Sequence, residues 1–361
     1  MKNISEFREL TALLKKFPRS SQQMNKLFEA DCEIVKIPSG YLACSVDSIG
    51  EEIDIQLYRD PELWGWMTVI SSISDLAASG AHGIGLLLAN QWKYKTSKEI
   101  KMRFLQGALA ALKKVKIPLL GGDSGGGESH SHSATIIGYA KNKPLTRKGI
   151  RPGDVICLVG IKKLGMGPSL AYRFLLQKPE DFLLEKHFRP LPSLNLISSL
   201  RPLITAAIDT SDGLATSLQI LRDLNHVGFA LQWTSQLASP LAMTFCARAD
   251  LHPLMLTMGD HGDFQTLFAI PEKNLHSVLK KSKDILPLGI ATTYDKGIKI
   301  SYQNQWLDLP AHLVTTCPRD TQSILSLTLE VNKLFKSQSS PTKLASKPTK
   351  RITPNSFGEE K

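Results

Sequence analysis

Residues 64–81, WGWMTVISSISDLAASGA, form a long apolar run with one acidic residue, Asp75, in its interior. The length and the apolar spacing predict a buried helix. A lone carboxylate inside such a helix is costly to bury without a partner. We therefore expect Asp75 to meet polar or charged groups from distant parts of the chain, which constrains how the neighbouring segments can pack.

The segments on either side of this helix alternate between strand and helix signals. Residues 41–47, 82–92 and 133–140 have the apolar patterns of strands, and residues 98–116 have that of a second long helix. The stretch LLGGDSGGGES, residues 119–129, predicts a strand that runs into a glycine-rich loop. This half of the chain is therefore α/β in pattern.

A different stretch begins at RKGIRPGDVICLVG, whose Pro-Gly-Asp turn predicts a domain boundary near residue 150. The second half contains a strand, a turn and a helix over residues 205–225, and further strands after it. The predicted organisation is two domains, a C-terminal extension and a disordered basic tail. Their expected bounds are 1–150, 151–310, 311–335 and 336–361.

The composition is that of a soluble globular protein, with 42% apolar and 21% charged residues. The five cysteines form no CxxC pair, the N-terminus lacks the apolar core of a signal peptide, and no apolar run approaches the ~20 residues of a membrane span. A cytoplasmic protein without a membrane anchor is expected. Of the net charge of +11, much lies in residues 333–361, which hold seven Lys/Arg and two Glu. Nucleic-acid binding is not expected, because the rest of the chain has no dense basic run interleaved with aromatic residues.

Acidic residues recur at the ends of the apolar segments. One such residue is usually a helix cap or a turn residue. Several carboxylates in one place would repel by ~1 to 4 kcal/mol per close pair, and Mg²⁺, which prefers oxygen ligands, removes that penalty. The glycine-rich stretch offers unobstructed backbone N–H groups to a phosphate, although it lacks the G-K-[ST] ending of a Walker A loop. The recurring acids are Asp31, Asp47, Asp75, Asp123, Asp209 and Asp212.

His130 and His132, in ESHSHS, are a second feature that could bind a metal ion. Two alternating histidines without a third ligand make a poor site. A solvated loop is therefore the expected structure of this segment.

Seven short motifs, taken in order, resemble those of thiamine-monophosphate kinase. They are ADCEI, SVDSIGEEID, SDLAASGA, LLGGDSGGG, RPGDVICLVG, DTSDGLATSL and GDHGDFQTLF, within about residues 5–305. That family belongs to the PurM-like superfamily, with aminoimidazole ribonucleotide synthetase, selenophosphate synthetase and a hydrogenase maturation protein. The resemblance implies an N-terminal α/β domain whose strands form a barrel across a homodimer, a C-terminal α+β domain, and ATP with several Mg²⁺ ions in the cleft between the domains.

The resemblance also implies roles for particular residues. Asp212 is implied to be catalytic, Asp263 is a candidate for positioning the acceptor, and Asp209 orients the turn. The implied metal ligands are Asp31, Asp47, Asp75, Asp123 and Asp212. The implied nucleotide-binding residues are Gly121, Gly122, Asp123, Ser124 and Ser211.

The chain departs from the family pattern mainly where the acceptor or outer metal ions would bind. Glu29-Ala30-Asp31 stands where the family has Gly-Asp-Asp, and Asp54 stands where it has a histidine. Ser217 replaces an acid, and Gly262 and Gln265 replace two glutamates. Most matches lie on the nucleotide and metal side.

Three kinds of function are compatible with this pattern. The first is an ATP- and Mg²⁺-dependent phosphotransferase acting on thiamine monophosphate or a related small phosphate ester. The second is another ATP-dependent reaction of the superfamily, in which a carbonyl or amide oxygen is phosphorylated and then displaced. The third is a nucleotide-binding relative without catalysis.

Overall fold

A computed structural model describes residues 11–12, 14–160, 163–178, 183–234, 236–259, 261–317 and 320–339. These residues form two β-sheets with helices packed against them. Residues 1–10 and 13, and the tail beyond residue 339, lie outside the described residues.

The first sheet has five strands. Neighbouring strands are antiparallel, except that the strands His82–Lys93 and Leu119–Gly127 are parallel. The strands are β1 (Glu33–Ile37), β2 (Gly40–Ile49), β3 (His82–Lys93), β4 (Leu119–Gly127) and β5 (Ser131–Ala140), in the spatial order β1-β2-β5-β3-β4.

One face of this sheet is covered by a pair of long helices, which follow the short helix α1 (Glu51–Asp54). The first, α2 (Pro61–Ser79), begins at Asp60, whose side chain caps the helix, and ends at a left-handed glycine. It is buried along nearly its whole length, as its apolar sequence predicts. The second, α3 (Lys98–Val115), is amphipathic and packs across α2.

The glycine-rich stretch was expected to leave its strand for a loop, and this expectation is wrong. Strand β4 continues to Gly127 because it pairs in parallel with β3 along the whole stretch. Gly122 is required here, since a Cβ at this position would lie 2.1 Å from the carbonyl oxygen of Leu88. The glycine run therefore forms the exposed edge of the sheet.

The second sheet has seven strands, and three of them, β6 (Val155–Val159), β7 (Ala206–Asp209) and β9 (Thr266–Ile270), are entirely buried. Apolar residues without polar alternation are expected in strands covered on both faces. The strands are β6 (Val155–Val159), β7 (Ala206–Asp209), β8 (Val227–Gln232), β9 (Thr266–Ile270), β10 (Ile285–Thr293), β11 (Ile298–Tyr302) and β12 (Gln305–Asp308), in the order β12-β11-β8-β10-β6-β9-β7. The helices are α4 (Met166–Leu175), α5 (Leu183–His187), α6 (Leu194–Leu200), α7 (Leu214–Asn225), α8 (Pro240–Arg248), α9 (Leu275–Leu279), α10 (Ala311–Thr316) and α11 (Thr321–Gln338).

The C-terminal extension is helical. Helix α11 packs against α4 through buried residues that include Val331 and Phe335. It ends at Gln338, so the first residues assigned to a disordered tail from 336 belong to this helix. Across the described part of the chain, none of the helices has the length and apolar character needed to span a membrane.

Helices α2 and α3 pack closely because Gly65 and Gly107 have no side chain at their contact. This generates a stability prediction. A Cβ on Gly107 would lie 1.9 Å from the carbonyl oxygen of Glu62. Gly107→Ala should therefore lower the free energy of unfolding by about 1–3 kcal/mol, because the helices must separate. Gly125→Ala is the control, since a Cβ there meets nothing within 4 Å. Denaturant titrations that show equal losses for the two variants would contradict the packing described.

Candidate functional site

Three carboxylates from distant parts of the chain meet beside α2, which contacts β2 and β5 of the first sheet and β7 and β9 of the second. Asp31 precedes β1, Asp75 lies within α2 and Asp209 ends β7. One carboxylate oxygen from each lies within 4.8 Å of those of the other two. Asp75 therefore has the polar surroundings that its position in an apolar helix required.

Serine hydroxyl groups fix the orientation of two of these carboxylates. Ser45 Oγ donates a hydrogen bond to Asp75, and Ser74 Oγ donates to Asp209 Oδ2 at 2.7 Å. Ser211 Oγ donates to the other oxygen of Asp209 at 3.0 Å. The carboxylates are thus held by short side chains on rigid elements.

One partly buried guanidinium group offsets part of the negative charge. Arg147 donates to Asp31 Oδ1 from Nη2 at 2.7 Å and from Nε at 3.2 Å. Burial alone would lower the pKa of Arg147, but Asp31, and further away Asp209 and Asp75, outweigh burial and raise it. The arginine therefore stays charged beside the cluster.

The negative charge of the three carboxylates exceeds the single positive charge of Arg147. Burial, followed by the charges of Asp47, Asp209 and Asp31, raises the pKa of Asp75 well above its ordinary value. Burial, followed by Asp31 and then Asp212, also raises the pKa of Asp209. A divalent cation would relieve both effects.

Asp47 and Asp212 lie beside the three carboxylates. Asp47 is on β2, on the same face as Ser45, and its charge acts on Asp75. Asp212 is in the turn between β7 and α7, and its charge acts on Asp209. The structure thus brings four of the five proposed metal ligands into one region.

Asp123 lies elsewhere in the chain. Asp47 is in register with Ala134, Leu88 and Gly122 across the sheet, so β4 is about 14 Å from β2, three strand spacings away. Asp123 is the next residue and projects from the opposite face to Asp47, because successive side chains of a strand alternate. Within one chain, Asp123 and its neighbours Gly121, Gly122 and Ser124 do not reach the cluster, and their assignment stays a prediction.

Asp263 holds the start of α4 through hydrogen bonds. Its two carboxylate oxygens accept hydrogen bonds from the backbone N–H groups of Gly165 and Gly167 at the start of α4. Burial raises its pKa to about 6, against the opposing effect of these bonds. The next residue back, Gly262, donates its N–H to Ser211 O at 2.6 Å. Asp263 therefore positions the loop beside the cluster, and a direct role on an acceptor stays a prediction.

The replacements noted in the sequence have local structural roles. Ser217 Oγ shares its one hydroxyl proton between the carbonyl oxygens of Asp209 and Gly213, which lie at 2.8 and 3.0 Å, and so fixes the turn. Gln265 is buried, and its N–H donates to Thr210 Oγ1 at 3.0 Å.

Two members of the cluster were not identified as such from the sequence. Asp209 was assigned only the orientation of the turn, although it belongs to the closest carboxylate group. Its place at the end of a fully buried strand was the available signal. Arg147 carries no recognisable signal, because the fold alone brings it to Asp31, 116 residues away in sequence.

Comparison with known proteins is consistent with this geometry. Residues 29–140 match the family model "AIR synthase related protein, N-terminal domain". Thiamine-monophosphate kinase of Buchnera aphidicola from Schizaphis graminum is 27% identical over 315 residues, covering 83% of this chain and 95% of that protein. The Escherichia coli K12 enzyme of the same name is 28% identical over 263 residues, covering 68% of this chain and 76% of that protein.

Solved structures share the fold. Thiamine monophosphate kinase from Aquifex aeolicus aligns with a TM-score of 0.66 at 19% identity, over 86% of this chain and 99% of that chain. The complex of AaThiL with AMPPCP and TMP aligns with a TM-score of 0.68 at 20% identity, over 86% and 96%.

The chain therefore has the two-sheet fold of these solved structures, and its residues 29–140 match the AIR synthase related N-terminal domain. Over most of its length the sequence is similar to those of proteins named thiamine-monophosphate kinase.

Repulsion within the cluster should limit the stability of the metal-free protein. Asp75→Asn should raise its free energy of unfolding by about 1–2 kcal/mol at pH 8. The gain should shrink towards pH 4, because the raised pKa of Asp75 costs stability only as the pH rises from the ordinary pKa of an aspartate towards that raised pKa. Mg²⁺ should raise the melting temperature of the wild type but not of the variant.

Asp308→Asn, at an exposed position on β12, is the control and should match the wild type in both measurements. A wild type that is more stable than Asp75→Asn without metal at pH 8 would contradict the electrostatic description.

Proposed function

We propose that the chain is an ATP- and Mg²⁺-dependent phosphotransferase resembling thiamine-monophosphate kinase, with thiamine monophosphate or a related small phosphate ester as acceptor. The observation that carries the proposal is the group of Asp31, Asp75 and Asp209, whose negative charge exceeds what Arg147 offsets. The names and bound molecules of the relatives support the same reading.

The donor set fits a hard divalent cation. Carboxylate oxygens are the ligands that Mg²⁺ prefers, and it usually binds one or two carboxylates together with substrate phosphates. Asp31, Asp75 and Asp209 would hold it, with Asp47 and Asp212 beside them. When bound, Mg²⁺ would neutralise charge on the triphosphate and on the transferred phosphoryl group.

Other residues of the chain would orient the phosphates. Helix α7 starts at Leu214, directly after Asp212 and Gly213, and the N-terminal end of a 12-residue helix attracts anions. Ser211 offers a hydroxyl group in the same turn, and Arg147 supplies a fixed positive charge. Phosphoryl transfer requires mainly positioning and electrostatic stabilisation, so the chain needs no strong general base.

A second candidate is ATP-dependent activation of a carbonyl or amide oxygen. The observation that favours it is the set of replacements at Asp54, Gly262 and Gln265, on the side where the acceptor would bind. A hydrogenase maturation protein HypE, solved in complex with ATP, shares the fold with a TM-score of 0.61 at 16% identity.

Activity assays distinguish these candidates. ADP formation from Mg-ATP should increase when thiamine monophosphate is added, with thiamine diphosphate as the product by mass spectrometry. Asp212→Asn should keep the fold, because size is unchanged, and should lose most of this turnover. Asp54→His with Gln265→Glu should raise turnover on thiamine monophosphate.

Asp308→Asn again serves as the control for the charge change. Turnover with small carboxamides but not with phosphate esters would replace the first candidate by the second. Absence of turnover with every acceptor, together with equal Mg-ATP binding by wild type and Asp212→Asn, would overturn both.

We also propose that the first sheet pairs with that of a second copy to form a homodimer. The sheet face opposite α2 carries exposed apolar side chains, with Val46 and Leu87 in one row across Thr135. Leu119 and Leu120 are also exposed on the edge strand β4. A long exposed edge with apolar residues is avoided in monomers and is typical of a surface that pairs with another chain.

A charge on this face should separate the subunits. Val46, 64% exposed, can be changed to Asp without disturbing the core, so Val46→Asp should reduce the mass measured by light scattering to that of a monomer. Met102→Asp, 48% exposed on the outer side of α3, should leave the mass unchanged. A wild type that is monomeric at micromolar concentration would contradict the proposal.

A further inference from the structure

Tyr58 and His261 form a hydrogen bond between two parts of the chain that lie 203 residues apart in sequence. Tyr58 Oη is 3.0 Å from His261 Nε2, and Tyr58 is only 1% exposed. The rings of Phe188 and Phe264 pack on the imidazole, with centroid distances of 5.7 and 6.2 Å. Burial lowers the pKa of His261 to about 4 and raises the pKa of Tyr58. The bond therefore joins two neutral groups at pH 7.

The segment that carries Tyr58 is fixed by hydrogen bonds of its main chain. Trp64 Nε1 of α2 donates to Tyr58 O at 3.0 Å. From the second half of the chain, Arg173 Nη2 of α4 donates to Leu57 O at 2.9 Å. Glu185 Oε1 of α5 accepts from the backbone N–H groups of the two residues after Tyr58, at 2.5 and 2.7 Å. Tyr58 therefore presents its hydroxyl group from a rigid support.

Trp64 is itself part of a packed aromatic group beside the first sheet. Its ring centroid lies 5.3 Å from that of His130. His132 is fully buried against Trp92 and Phe104, with centroid distances of 4.6 and 4.5 Å, so the expectation of a solvated loop is wrong for this residue. The indole that binds Tyr58 O is thus held in place from the side of the first sheet.

His261 belongs to a short segment that packs on the turn of the carboxylate site. The N–H of Gly262 donates to Ser211 O at 2.6 Å, and a Cβ on Gly262 would lie 1.7 Å from Thr210 O. Thr210 N donates to Gln265 O at 2.9 Å, and Gln265 N donates to Thr210 Oγ1 at 3.0 Å. This turn lies between β7 and α7 and carries carboxylates of the site. The position of the segment therefore sets the position of the turn.

The backbone of this segment is strained at Phe264. Its φ of +54° is a left-handed conformation that a bulky residue rarely adopts. Such a conformation persists only where the surrounding contacts impose it. Asp263 is held by the start of α4 on one side, and His261 is held by Tyr58 on the other.

These contacts form a closed ring that passes through α4. Asp263 binds backbone N–H groups at the start of this helix, and Arg173, on the same helix, binds the carbonyl oxygen next to Tyr58. The bond between Tyr58 and His261 joins the two remaining ends. Without this bond the segment would be attached to the first half of the chain only indirectly, through α4.

We propose that Tyr58 and His261 are positioning residues, whose hydrogen bond fixes the turn of the carboxylate site relative to α1 on the acceptor side. Helix α1, which carries Asp54, moves with Tyr58 because Tyr58 N donates to Glu52 O at 2.9 Å. The role rests on the phosphotransferase function proposed above. Phosphoryl transfer depends on the alignment of acceptor and phosphate, and a misplacement of about 1 Å can lower the rate by about a hundredfold.

Kinetics of the full chain test this role. Tyr58→Phe keeps the ring and removes the bond, so it should lower kcat by about tenfold or more. The KM for Mg-ATP should change by less than about twofold, because the carboxylates remain. His261→Leu should behave in the same way, whereas His261→Gln keeps a polar group at the reach of Nε2 and should retain kcat within about threefold of the wild type.

Tyr139→Phe is the matched control. It removes a hydroxyl group that donates to Ser39 O at 2.6 Å, in the turn between β1 and β2, and should leave kcat unchanged. The double variant of Tyr58→Phe with His261→Leu should have the kcat of the single variants, because both remove the same bond. Effects that multiply, full kcat in Tyr58→Phe, or equal losses in His261→Gln and His261→Leu would overturn the proposal.

Hydrogen exchange measures the same coupling without turnover. In Tyr58→Phe, backbone amides of residues 207–218 should exchange at least about fivefold faster than in the wild type, while those of β10 and β11 should not change. Unchanged exchange in residues 207–218 would overturn the positioning role. A wild type without turnover on any acceptor, but with this change in exchange, would overturn the proposed phosphotransfer and leave the coupling established. If His261→Leu does not fold, Tyr58→Phe and His261→Gln decide.

Discussion

Repulsion among Asp31, Asp75 and Asp209 is the constraint on which this structure depends. These carboxylates come from a loop before β1, the middle of α2 and the end of β7, so the first sheet, its covering helix and the second sheet must all be in place before they meet. Like charges at this distance are costly in a buried setting. Hydrogen bonds from serines and the ion pair with Arg147 offset only part of that cost.

The surrounding fold is built to hold this unfavourable group. Helix α2 is buried on nearly all sides, and glycines at Gly65 and Gly107 let α3 pack closely on it. Asp263 fixes the loop beside the turn from Asp209 to Gly213 through backbone N–H groups of α4. Local instability at a functional site that the rest of the fold stabilises is common in enzymes, because the charge arrangement serves the bound ligand rather than the free protein.

Much of the fold was predictable from the sequence, because the apolar spacing of long segments such as α2 and α3 is visible in their own residues. The glycine-rich strand β4 was not, since its strand character comes from pairing with β3 and not from its own residues. In the site, the position of Asp75 inside an apolar helix indicated that polar groups must surround it. Three features of the site depend on which strands become neighbours: Asp209 joins the carboxylate group, Arg147 pairs with Asp31, and Asp123 lies away from them. The burial of His132 depends on helices α2 and α3. None of these features could be derived from the local sequence.

The central claim is that these carboxylates form a site for a metal-bound nucleotide. Calorimetric titration of the wild type with ATP, in the presence of Mg²⁺ and then of a chelator, tests it most directly. The electrostatics predict binding at least about tenfold weaker without the metal, a difference of ~1.4 kcal/mol, because the triphosphate would face the unneutralised carboxylates. Equal affinity under the two conditions would contradict the claim.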